Sequence, residues 1–179
     1  MLRNTENSYG SVSRLIHWLM AVIVIIMLAV GFTMVNLEPS DQKWQIYGIH
    51  KATGLIVLAL AILRIIWILL NQAVQVPFDL PQWQRFAAKW NHNFLYILLL
   101  VMPASGALMS LVGGNDINFF GAFTIKAIAH NKEYSKLFWN THVTSAFLLV
   151  AAITVHIFAA LYHHFIRKDN VLMRMIRGF

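Results

Sequence analysis

Four nearly unbroken apolar stretches, residues 15–35, 46–70, 94–112 and 143–166, take up about half of this 179-residue chain. At a helical rise of about 1.5 Å per residue, each is long enough to cross a hydrocarbon core about 30 Å thick. A soluble domain averages about half apolar residues. Here the hydrophobic share is 59% and the mean hydropathy +0.62, so too little polar sequence remains to cover four such helices in water. The expectation is an all-α transmembrane four-helix bundle, forming a single membrane-embedded domain over residues 1–179. The first run is longer than a signal-peptide core, lacks a small-x-small cleavage site and carries His17 and Trp18, so it reads as a retained first helix.

With four spans, both termini share one side of the membrane. That side holds Arg3, Arg14, Arg85, Lys89, Arg167, Lys168, Arg174 and Arg177; the other holds Lys43, Lys51, Lys126, Lys132 and Lys136. The excess of Lys and Arg, with every arginine outside the spans on the first side, places both termini in the cytoplasm. Glu6, Asp79 and Asp169 on that side, and Glu38, Asp41, Asp116 and Glu133 on the other, leave nearly all of the +7 net charge inside. The basic pI is therefore a topology signal, and no nucleic-acid partner is implied.

Among the connections, 36–45 is a short outer turn. The inner loop 71–91 is broken by Pro77 and Pro81 and contains an amphipathic stretch over 83–90. Segment 113–141 is the longest outer connection. It is too apolar over 117–128 for a solvated loop, and is expected to lie along the outer surface.

A titratable ring inside a bilayer span is costly and marks a functional site by default. Four such rings fall at two depths. His17 lies near the cytoplasmic start of helix 1 and His50 near the outer start of helix 2, while His142 sits at the outer edge of helix 4 and His156 follows 14 residues later. Fourteen residues descend about 21 Å and return to within about 40° of the same face. The depths pair His50 with His142 (outer) and His17 with His156 (inner). Facing imidazoles fill both axial positions of a haem iron, and bundle cores are where such sites are built. Cysteine is absent, which removes Fe–S clusters, thiolate zinc and covalent haem attachment. The pattern points to two b-type haems. Each ring hydrogen-bonding a neighbouring helix is the alternative, and the paired depths weigh against it.

Several neighbours suit a flat macrocycle. Gly54 lies one turn after His50, and Gly31 lies 14 residues after His17; ordinary helix packing explains either glycine equally well. Arg64 lies 14 residues after His50, at the inner depth, where a haem propionate would pair with its guanidinium; snorkelling to the surface is the alternative. His163 and His164, at the inner end of helix 4, suit a quinone site, a propionate or lipid headgroups. His92 has the same options, and His130 reads as solvated.

The motifs Arg14-Leu-Ile-His17-Trp18-Leu19, Ile49-His50-Lys-Ala-Thr-Gly54 and Pro103-Ala-Ser-Gly106, with His92 eleven residues before Pro103, resemble the bacterial diheme cytochrome b561 family. So does the tail Tyr162-His163-His164-Phe-Ile-Arg167-Lys168-Asp169-Asn170, followed by Leu172-Met-Arg174-Met175. The resemblance covers the chain essentially end to end. It implies a four-helix bacterial inner-membrane cytochrome with the same pairing of helix 1 and helix 2 ligands to helix 4. It also implies superoxide oxidase activity: electrons taken from superoxide at the periplasmic face and passed through two haems to ubiquinone, with no obligatory protein partner. For a small anionic substrate, Lys43, Lys51, Lys126, Lys132 and Lys136 are candidates for electrostatic steering, opposed by the four outer carboxylates. The alternative is a membrane-anchor electron-relay subunit of a hydrogenase- or dehydrogenase-like complex. A His-lined proton channel is a third reading, and such a protein would carry no pigment.

Overall fold

The computed structural model describes residues 1–75 and 80–178. Pro77 and Asp79, which entered the loop and charge arguments, lie outside the described residues. Four long helices dominate: α1 Ser11–Met34, α2 Asp41–Leu69, α3 Gln82–Val112 and α4 Lys132–Tyr162. A π-helical turn, His163–Arg167, extends α4, and a short α5 spans Val171–Ile176. Their most apolar stretches have mean hydropathies of 2.7, 2.5, 2.1 and 2.1, which with their lengths suits all four to crossing a membrane. Outward-facing Ile25, Leu63, Ile66 and Phe158 are exposed, as lipid-facing positions are.

Local chemistry sets the helix ends. The Ser40 side chain accepts from the Lys43 amide at the start of α2, with Asp41 in the first turn to favour the positive helix end. Asn131 accepts from the amides of Glu133 and Tyr134, so α4 starts at Lys132, well before its apolar run. His142 therefore lies almost three turns inside α4, deeper than the edge position expected from hydropathy. α3 likewise starts at Gln82, directly after Pro81, and takes in the amphipathic 83–90 stretch as continuous helix.

These extensions shorten the outer connection to residues 113–131. Strands β1 (Ile117–Phe119) and β2 (Phe123–Ile125) form an antiparallel hairpin there, pairing Phe119 with Phe123. Phe120 and Gly121 turn the chain at positive φ, 52° and 81°. Ile117 is fully buried and anchors β1 against α2 and α3. The apolar character of this segment thus reflects one buried anchor plus an exposed aromatic tip, Phe120 and Phe123.

α4 packs along α3, α1 along α2 and α2 along α3. Among the described residues, α4 scarcely approaches α1 or α2 at the backbone level. The bundle interior is closed midway by an apolar layer of Val24, Met27 and Leu28 from α1, Val57 from α2, Leu95, Leu98 and Met102 from α3, and Leu149 and Ala152 from α4. One end of the bundle is tied off by both termini. Asn4 bonds Asn71 and Gln72, the Gln75 amide bonds Glu6 O at 2.8 Å, and Arg14 and Trp18 donate to the carbonyls of Ile176 and Met175.

Candidate functional site

The two helix pairs held apart, α2 with α4 and α1 with α4, are the pairs that carry the facing histidines. His50 and His142 sit with ring centroids 6.4 Å apart and planes at 88°; His17 and His156 sit 6.1 Å apart at 64°. Each spacing matches two imidazoles flanking one metal atom, given nitrogen–metal bonds of about 2 Å and the two half-rings behind them. A bare ion normally wants four protein ligands. Among the described residues no group of three or more His, Asp or Glu side chains is arranged to hold one. Two donors across a gap suit a group that brings its own equatorial nitrogens, as a porphyrin does.

At the outer site, His142 Nδ1 lies 2.7 Å from the Met102 carbonyl oxygen. A carbonyl only accepts, so Nδ1 carries the proton and Nε2 is left with a free lone pair, the state an imidazole ligand needs. His50 Nδ1 is buried without a hydrogen-bond partner, an expensive arrangement for a polar atom. A cavity of about 40 Å³ lies beside the two rings, lined by His50, Lys51, Gly54, Gly106, His142, Leu149 and their neighbours. A Cβ on Gly54 would meet nothing within 4 Å, one on Gly31 would touch His50 Cε1 at 3.4 Å, and one on Gly106 would press into the His142 ring at 2.8 Å. The outer residues fit a flat, bis-imidazole-ligated group.

The inner site is more crowded. Arg64 Nη2 donates to His17 Nδ1 at 3.1 Å, and its guanidinium lies 6.0 Å from the centre of the Tyr96 ring. His92 approaches His156 more closely than His17 does, with centroids 5.3 Å apart. Three imidazoles and a guanidinium therefore converge where sequence counting placed two rings and Arg64. Tyr9 joins them from the N-terminal segment. Burial pushes its hydroxyl up, with a further contribution from Tyr96, while Arg64 and Arg174 pull it down.

Other expected site residues fall elsewhere. His163 Nδ1 is bonded to Asp169 Oδ2 at 2.6 Å, and the same oxygen takes Arg167 Nε at 3.3 Å. His164 packs edge-on to Phe165. Of the outer lysines, Lys43 donates to the Leu37 carbonyl and Lys126 pairs with Asp116 Oδ2 at 2.8 Å, while Lys51 lines the cavity beside His50. His130 is exposed and forms an isolated bridge with Gly113.

Sequence reasoning missed the Met102 carbonyl, the steric role of Gly106, and Tyr9 and Tyr96. The motif Pro103-Ala-Ser-Gly106 carried a signal for Gly106: a glycine one turn beyond a buried proline, on the helix opposite a candidate ligand.

The chain is similar to known proteins along almost its whole length. A family model described as prokaryotic cytochrome b561 matches residues 8–178. The chain is 34% identical to cytochrome b561 homolog 2 of Escherichia coli (strain K12), over 97% of this chain and 93% of that protein. It is 28% identical to cytochrome b561 homolog 1 of the same organism, over 95% and 97%. A probable superoxide oxidase CybB of Yersinia pestis is 27% identical over 90% and 91%.

Proposed function

The chain belongs to the prokaryotic cytochrome b561 family, and from that membership we propose that it oxidises superoxide at the outer face of the bacterial inner membrane and delivers the electrons to ubiquinone. It is a membrane electron-transfer protein of an oxidoreductase family whose members bind b-type haem. The proposal adds two haems in a single domain, one held by His50 and His142 and one by His17 and His156, with both termini cytoplasmic.

The observation that carries the proposal is the pair of facing imidazole couples at two depths of one bundle. Held by these two imidazole couples, haem b would supply a one-electron iron couple. The chain's own residues do the rest. The Met102 carbonyl sets the proton on His142, the Leu149 layer separates the two depths, and Arg64 stands ready to neutralise a propionate at the inner one. Two superoxide anions give up one electron each and leave as dioxygen. Two electrons and two protons convert one quinone to quinol.

The relative named as a probable superoxide oxidase favours superoxide as donor. The alternative, an electron-relay anchor for a soluble partner, needs a docking surface. The outer face offers a short hairpin and one turn. Stopped-flow mixing of the purified protein with superoxide, without any partner, decides between them: rapid appearance of the reduced haem spectrum, then quinol formation, is expected. A protein carrying two haems that superoxide does not reduce would be the relay subunit.

A further inference from the structure

Lys51 follows His50 on α2, and its ammonium bonds the Ser110 hydroxyl at 3.3 Å and the Asp116 carbonyl at 2.8 Å. Neither partner is charged. The Asp116 carboxylate beside it is already engaged, through Oδ2 with Lys126 at 2.8 Å and through Oδ1 with the Ala127 amide at 2.9 Å. Among the described residues no carboxylate comes within ion-pair distance of Lys51. An ammonium has three N–H donors, so one remains for a ligand. Of the five outer lysines only Lys51 lines the cavity between His50 and His142. The rest of that wall is almost entirely apolar. Gly54, one turn further on, leaves open space there.

We propose that Lys51, held by Ser110 and the Asp116 carbonyl, binds a small monovalent anion at the mouth of the cavity between His50 and His142. Asp116 tunes the site by keeping Lys126 neutralised. Naming superoxide as the natural occupant rests on the function proposed above; the anion site itself does not. Lys51 shares the lining of one cavity with His50 and His142, so an anion resting on it would lie at the same cavity as the outer imidazoles. The other four lysines would act only at longer range.

The test uses azide as the probe on the haem-loaded protein in detergent at fixed ionic strength, read by the infrared stretching band of azide. The wild type should show a second, saturable, shifted band. Lys51→Gln should weaken azide binding about tenfold or more, the usual loss for a charge-assisted hydrogen bond, and Lys51→Arg should retain it. Asp116→Asn leaves the backbone carbonyl in place and frees Lys126, so it should tighten binding severalfold. The reduced-minus-oxidised spectrum shows that each variant keeps its pigment. No bound-azide band in the wild type, a band that moves with iron oxidation state, or equal binding in Lys51→Gln and wild type would overturn the site. Superoxide consumption is measured separately. A protein that binds azide through Lys51 yet leaves superoxide untouched overturns the function and keeps the site. One that oxidises superoxide with the same rate and salt dependence after Lys51→Gln, and shows no azide band, does the reverse.

Discussion

The Met102 carbonyl oxygen on α3 accepts a 2.7 Å hydrogen bond from His142 Nδ1 on α4. It also accepts the Ser105 hydroxyl at 2.9 Å. A buried backbone carbonyl with two lone pairs can serve both, and a ring fixed this way has lost its freedom to turn or to change tautomer. Such an acceptor behind a ligand histidine normally raises its basicity and fixes its aim.

Gly106 makes that bond possible. A methyl group there would stand 2.8 Å from both Nδ1 and Cε1 of His142. Gly106→Ala is therefore expected to displace the ring and lower the haem-to-protein ratio from two towards one, while the protein still folds. Pigment extraction against protein mass checks it; a ratio still at two would mean that the ring can yield.

His142→Ala removes the ring without disturbing α3. It should abolish the outer haem and leave the inner one, as the two couples are separated by about 21 Å of helix and the buried Leu149 layer. Redox titration followed by absorbance should then show one transition in place of two. Loss of both haems, or of neither, would contradict the pairing by depth.

The two couples were legible in the sequence because rise and angle along a helix follow from residue number alone. His142 and His156 differ by 14 residues, and that interval fixes both depth and face. The true starts of α3 and α4 were not legible. Residues 82–93 and 132–142 are rich in Trp, Asn and Lys, so hydropathy assigns them to loops; the Asn131 cap and the start after Pro81 carry the helices through them. For His92 the sequence leaves a quinone site, a propionate or lipid headgroups open. Its closeness to His156 depends on how α3 and α4 pack, which residue spacing within either helix does not encode. The bond between His163 and Asp169 spans six residues through a π turn and a left-handed Lys168, a geometry no regular period anticipates.

Leu149 lies seven residues from each of His142 and His156, on their common face, and is 1% exposed. Leu149→Ala removes the plug between the two depths. It should cost about 2–5 kcal/mol, the range for truncating a buried leucine. Thermal unfolding in detergent should show the loss, with both haems retained at the start of the scan.

Asp169 lies beyond the membrane-spanning segments. Burial works against its ionisation, but hydrogen bonds from His163, the Val171 amide and Arg167 outweigh burial and hold its carboxyl below the usual carboxylate range. A folded-state value below the unfolded one of about 3.9 means stability that is present above that value and lost as pH falls through the folded one. The segment from Asp169 to Gly178 should stay docked from neutrality to about pH 4 and loosen below it. Asp169→Asn should loosen it already at neutral pH. Hydrogen exchange of α5, several-fold faster in the variant, is the measurement.

Arg64 offers a test at the inner depth, where its guanidinium lies 3.1 Å from His17 Nδ1. An arginine stays charged and only donates, so His17 can present a proton-free Nδ1 to it but gains nothing from it as a metal ligand. A propionate would draw the guanidinium away from the ring and satisfy both groups. A reduced haem carries one positive charge fewer than an oxidised one, so a neighbouring cation favours reduction. Arg64→Gln should therefore lower the inner midpoint potential by an amount on the order of tens of mV. The outer potential should stay unchanged, since some 20 Å of bundle lies between them. Potentiometric titration of the two transitions gives both values at once. A downward shift confined to one transition identifies it as the inner couple, and equal shifts in both would remove Arg64 from the inner site.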